Sequence, residues 1–162
     1  MKPTDENTYM IQGSETYKDS LISLNIYQME TAADFWTYLR ADNFSDSISN
    51  NYNRAMNAYM RKFSTGDHIS VSVAYTSYTT NSYETLASGQ AGDIEADTWY
   101  TLTASAIGTS LYCEIALAST GELLSSASAT DDTYAKGYSG FGVRHDAVKY
   151  FTDFTVTDES RR

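Results

Sequence analysis

Asp97-Thr98-Trp99-Tyr100-Thr101-Leu102 opens the stretch that decides the architecture, and Tyr150-Phe151-Thr152-Asp153-Phe154-Thr155-Val156 closes it. Between them apolar residues recur at every second position. Tyr100, Leu102, Ala104 and Ile107 precede Gly108-Thr109, and Leu111, Cys113, Ile115 and Leu117 follow it. Period two, filled by β-branched, aromatic, Ser and Thr residues, describes strands with one buried face, and a Gly-Thr step between two such runs predicts a hairpin. Gly121-Glu122-Leu123-Leu124 then supplies a short strand. Gly137-Tyr138-Ser139-Gly140-Phe141-Gly142-Val143 supplies another, and Phe141, Val143, Phe154 and Val156 complete the expected core.

Working back toward the N-terminus, the same alternation continues. Ile22, Leu24 and Ile26 alternate with Ser23, Asn25 and Tyr27. Phe35, Thr37, Leu39 and Ala41 alternate with Trp36, Tyr38, Arg40 and Asp42. Arg54, Met56, Ala58 and Met60 alternate with Asn53, Ala55, Asn57, Tyr59 and Arg61, and Ile69, Val71, Val73 and Tyr75 form the next apolar set. Thr8 to Ile11 suits a short edge strand, and the Ser-, Asp- and Asn-rich run Asn43 to Asn50 suits a loop. No i, i+3, i+4 stripe interrupts the pattern. About ten strands joined by Gly, Ser, Asn and Asp turns predict an all-β chain folded as a two-sheet antiparallel β-sandwich of jelly-roll type. The expectation is one domain over 1–162 with its core at about 17–157, closed by the polar tail Asp158-Glu159-Ser160-Arg161-Arg162.

The order of these pieces resembles a concanavalin A-like (laminin G-like) jelly roll. The carrying residues are the Trp99-Tyr100-Thr101-Leu102 strand, the hairpin strand Leu111 to Leu117, the glycine-spaced strand Gly137 to Val143 and the closing Tyr150 to Val156. The N-terminal half adds Leu21 to Met29, then Tyr38-Leu39-Arg40-Ala41-Asp42, then Asn51-Tyr52-Asn53. The resemblance implies a sandwich that serves in recognition or, in catalytic relatives, in glycan cleavage.

Composition narrows the functions. With 11 basic and 21 acidic side chains the formal charge is −10. Such a chain repels a polyphosphate backbone, so nucleic acid is excluded as an expected partner. No run approaches the length of apolar residues needed to cross a bilayer as a helix, so no membrane insertion is expected. Met1 to Asn7 lack the apolar region of a secretory signal, which leads to the expectation of a chain made in the cytoplasm or a trimmed extracellular domain. The one cysteine, Cys113, alternates with Leu111 and Ile115 and reads as a buried apolar thiol.

Catalytic relatives of the resembled fold present Glu-x-Asp-x-x-Glu on a strand, because retaining hydrolysis needs two carboxyl groups about 5 Å apart. Here the nearest string is Glu95-Ala96-Asp97-Thr98-Trp99-Tyr100, with Tyr100 in the second Glu's place, in a turn rather than on a strand. His68 and His145 have no nucleophile at a suggestive spacing. No His or Cys metal motif is present. The expectation is therefore a protein without enzymatic activity and without a cofactor; Asp131-Asp132 is the pair that a Ca²⁺ of the kind some laminin G-like domains carry would use, against the simpler reading of hydrated turn acids.

The binding expectation rests on Trp36, Tyr38 and Arg40 on one strand and Asn57, Tyr59 and Arg61 on the next, with Arg144 nearby. Flat rings stack on sugar C–H faces, while Arg and Asn pair with hydroxyls. This predicts a lectin-like module for a glycan or cell-surface polysaccharide. The alternative is a structural subunit of a larger assembly, such as a virion head decoration or tail protein, or a homo-oligomer, because aromatics and Arg are also enriched at protein interfaces.

Overall fold

The computed structural model describes residues 7–11, 16–28, 34–44, 52–63, 66–77, 82–91, 95–144 and 148–160, with side chains described at 16–27, 37, 39–41, 85–90, 95–141 and 150–160. Among the described residues there are eleven strands and no helix. In chain order they are β1 (Asn7–Ile11), β2 (Ser20–Gln28), β3 (Asp34–Phe44), β4 (Tyr52–Phe63), β5 (Gly66–Ser77), β6 (Ser82–Ala91), β7 (Thr98–Ile107), β8 (Ser110–Leu117), β9 (Leu123–Thr130), β10 (Tyr138–Arg144) and β11 (Val148–Asp158). A six-stranded sheet has the order β1-β10-β3-β4-β5-β6, and a five-stranded sheet has the order β11-β2-β7-β8-β9. The pairings are antiparallel throughout.

Alternation builds the inner face of the five-stranded sheet directly. Ile22, Leu24 and Ile26 of β2, Tyr100, Leu102, Ala104 and Ala106 of β7, and Leu111, Cys113 and Ile115 of β8 are all buried. Thr37 and Leu39 of β3 and Phe141 of β10 come from the other sheet to meet them. Burying a large apolar side chain of this kind contributes about 1.5–3 kcal/mol each, which makes this two-layer core the main source of stability. At the side where β10 faces β11, Phe141 lies edge-on to Phe151 (4.7 Å between ring centroids) and to Phe154 (4.9 Å). Strict alternation would send Phe151 and Phe154 to opposite faces. A register shift between Thr152 and Thr155, with Asp153 at φ 55°, lets both rings pack on the core.

At the opposite side β6 approaches β9. A Cβ on Gly89 would stand 2.3 Å from the backbone oxygen of Ser126, so only glycine fits this seam. Cys113 is fully buried and its thiol pKa is pushed up to about 12, chiefly by burial. This matches the apolar thiol expected from its spacing.

The expected strands recur with four differences. β6 is additional to the expected strands, and Asn43 and Phe44 extend β3 rather than opening the loop, whose residues 45–50 lie outside the described ones. Of the short piece Gly121 to Leu124, the first two residues precede the strand and the last two open a longer one, β9. Ile107 is 46% exposed at the hairpin end, and Ala106 takes the buried position that period two assigns.

Candidate functional site

β3 lies between β10 and β4, and its ladder partners assemble the expected binding positions. Trp36 is opposite Gly142 on one side and Tyr59 on the other; Tyr38 is opposite Gly140 and Asn57; Asp34 is opposite Arg144 and Arg61. β5 extends the three rows with Ser72, Ala74 and Ser70. Directly opposed residues share a sheet face. The alternate positions of β3 and β10, occupied by the ladder partners Thr37 and Phe141 and by Leu39, are buried in the core. The Trp36 and Tyr38 rows therefore occupy positions on the face turned away from the core. Their side chains are outside the described ones, so the backbone register alone places them. Six of the seven expected positions (Trp36, Tyr38, Asn57, Tyr59, Arg61 and Arg144) fall on three adjacent strands in consecutive rows.

Arg40, expected on that same face, is instead buried. The β3–β4 register shifts between Leu39 and Asp42, and Arg40 adopts φ 54° there. A bulge adds one residue and reverses the alternation, so Leu39, Arg40 and Ala41 are buried in succession. The Arg40 side chain is 2% exposed, and each of its three nitrogens donates within the molecule. Nε donates to the Lys18 carbonyl at 2.9 Å, Nη1 to the Tyr134 carbonyl at 3.0 Å and Nη2 to the Gly108 carbonyl at 2.7 Å. Nη2 also meets Asp19 Oδ1 at 3.3 Å, and that oxygen accepts the Gly108 amide at 2.7 Å. Burial lowers the guanidinium pKa and Asp19 opposes the shift. The residue fastens β3 to the chain entering β2, to the β7–β8 turn and to the β9–β10 connection. Gly137 makes room for this, since a Cβ there would lie 2.4 Å from both Arg40 C and the Ala41 carbonyl oxygen.

The other candidates have local structural roles. Glu95, Ala96 and Asp97 are exposed in the turn before β7. Tyr100, in the place of the second carboxylate, is buried, and its hydroxyl accepts the Glu95 amide at 2.9 Å and donates to the Glu95 carbonyl at 3.3 Å. Asp131 Oδ1 accepts the Thr133 amide at 2.8 Å, a turn-closing bond that occupies one oxygen of the acidic pair. Among the described residues no three His, Cys, Asp or Glu side chains gather as metal ligands. His68 lies on β5, and His145 lies outside the described residues.

Two antiparallel sheets of six and five strands make the chain a β-sandwich, an architecture it shares with solved structures of galectin-like fold. The chain is similar in structure to a Bacillus subtilis protein of unknown function with a galectin-like fold (14% identity, TM-score 0.62, covering 94% of this chain and 76% of that one). It is similar to the Caenorhabditis elegans galectin LEC-6 (13% identity, TM-score 0.54, covering 96% and 98%). It is also similar to the enzymatically active domain of bacteriophage CBA120 tailspike protein 2 (13% identity, TM-score 0.56, covering 93% of this chain and 23% of that one). No family model and no curated protein sequence matches the chain. At such identities the likeness carries the fold, and the site must be argued from this chain's own residues.

Proposed function

We propose that this protein is a non-catalytic, lectin-like recognition module that binds a glycan across the outer face of its six-stranded sheet. The observation that carries this reading is the register: Trp36 beside Tyr59 and Tyr38 beside Asn57, with glycines of β10 on their other flank and Arg144, Asp34 and Arg61 in the adjoining row. Aromatic positions bordered by amide and guanidinium positions are what a pyranose needs, an apolar face to stack on and hydroxyls to pair. The galectins among the structural neighbours support it. An open sheet face of this kind gives affinities in the micromolar range, about −8 kcal/mol.

The test is a glycan array probed with the purified chain, with its mass in solution measured on the same sample. Specific binding abolished by Trp36→Ala, with the fold retained, supports the site; binding that survives Trp36→Ala sinks it. The likeness to a domain of a phage tailspike favours a second reading, a structural subunit of a virion or surface assembly. An oligomer that binds no glycan on the array would move that reading to first place.

A further inference from the structure

The outer face of the five-stranded sheet carries a second row of aromatic residues, here with side-chain geometry. Tyr150 of β11, Tyr27 of β2 and Trp99 of β7 are consecutive ladder partners. The Tyr27 ring centroid lies 5.2 Å from that of Trp99, tilted by 50°, and 6.1 Å from that of Tyr150, tilted by 58°. Tyr150 is 57% exposed, and Tyr27 and Trp99 are half-buried. The Tyr27 hydroxyl donates to Asp97 Oδ1 at 3.2 Å, which pins the middle ring and sets a carboxylate beside the row.

The next row along the same strands is polar and already ordered. Asn25 Nδ2 donates to Asp153 Oδ2 at 2.9 Å, Thr152 Oγ1 donates to the same oxygen at 2.9 Å, and Thr101 Oγ1 donates to Asn25 Oδ1 at 2.7 Å. These groups retain acceptor lone pairs toward solvent. We infer that the Tyr150–Tyr27–Trp99 row is an extended binding platform for a neutral polysaccharide, separate from the face that bears Trp36.

Three features select that occupant. Neighbouring rings touch one another, so no gap remains for a caged cation; what they offer is a corrugated strip about as long as a few sugar rings. Their centroid spacings of 5.2 and 6.1 Å are close to the length of one pyranose unit in an equatorially linked chain, and their tilts of 50° and 58° suit a twisted chain rather than a flat one. Asp97 and Asp153, in a chain of net charge −10, supply acceptors for hydroxyls and repel uronates, sulfates and phosphates.

The inference rests on the glycan-binding reading above, and its test separates the two. The full chain is run in native gels containing barley β-glucan, galactomannan or, as an anionic control, polygalacturonate, with Tyr150→Ala and Trp36→Ala alongside. Retardation of wild type by a neutral polysaccharide, weakened roughly three- to tenfold by Tyr150→Ala as expected for an aromatic contact of this size, supports the platform. Because Tyr150 is the most exposed of the three, its truncation is expected to leave the urea midpoint unchanged, which excludes loss through unfolding. Retardation lost in Trp36→Ala but unchanged in Tyr150→Ala overturns the platform and leaves the proposed site standing. The reverse pattern supports the platform and overturns the Trp36 face. No retardation in either neutral gel, or retardation by polygalacturonate alone, overturns the platform.

Discussion

Replacing Arg40 by Met keeps the apolar stem of the side chain while deleting every guanidinium donor at the junction. Three carbonyls, of Lys18, Tyr134 and Gly108, then lose a charged partner, while Asp19 keeps the Gly108 amide. Bonds to a charged donor are worth about 1.5–3 kcal/mol each, but contacts within one network do not add, and breaking a buried ionic cluster by removing one partner costs about 3–5 kcal/mol in all. Against a total stability of about 5–15 kcal/mol, this is a large fraction. With a urea m-value of about 2 kcal/mol/M for a chain of this size, the midpoint of Arg40→Met should fall by about 2 M in equilibrium unfolding followed by circular dichroism. Arg40→Lys, which preserves the charge but loses the planar fork, should lose about half as much. A midpoint within about 0.5 M of wild type for Arg40→Met would show that these contacts are replaceable by water and refute the reasoning.

Cys113 gives a pH signature. Its folded thiol pKa, pushed up to about 12, lies above that of the unfolded chain, near 9, so the unfolded state binds fewer protons between those values. Stability is therefore full below about pH 9 and falls by about 1.4 kcal/mol per pH unit above it; urea titrations at pH 8 to 11 should show this slope in wild type, and Cys113→Ala should lack the thiol's contribution. Gly137→Ala places a methyl 2.4 Å from backbone atoms of Arg40 and Ala41, so a loss of about 3 kcal/mol or failure to fold is expected, read from the same midpoint. Tyr100→Phe keeps the core volume but removes the two-way bond to Glu95; because that backbone is exposed to water, the loss should be about 1 kcal/mol by thermal or urea denaturation.

What the sequence discloses of this fold depends on how each strand earns its place. β2, β7 and β8 carry apolar residues at every second position, most of them branched or large, and each is found with that face buried. β6 escapes because it packs through Leu86, Ala87 and Gly89, and its seam with β9 requires the absence of a side chain. A rule that counts apolar residues cannot see a position selected for smallness. Arg40 was misplaced by the same rule for another reason: one residue at positive φ inverts the alternation, and that inversion is fixed by the approach of Gly137, far along the chain. The rows of the six-stranded face were legible strand by strand, through Trp36, Tyr38, Asn57 and Tyr59. The Tyr150–Tyr27–Trp99 row was not, because its members are joined only by the ladder that sets β11, β2 and β7 side by side.

The position of β2 between β7 and β11 also fixes a timetable for synthesis. Ser20–Gln28 emerges early, yet its ladder partners are Thr98–Ala106 on one edge and Val148–Asp158 on the other. At elongation rates of about 5–20 residues per second, the strand spends several seconds outside the ribosome with both edges unpaired and Ile22, Leu24 and Ile26 uncovered. Only when Asp158 has been released can Ser20 and its neighbours acquire their last partner, so the five-stranded sheet closes after translation has passed β11. Until then, both edges of β2 are open to pairing with a neighbour's edge.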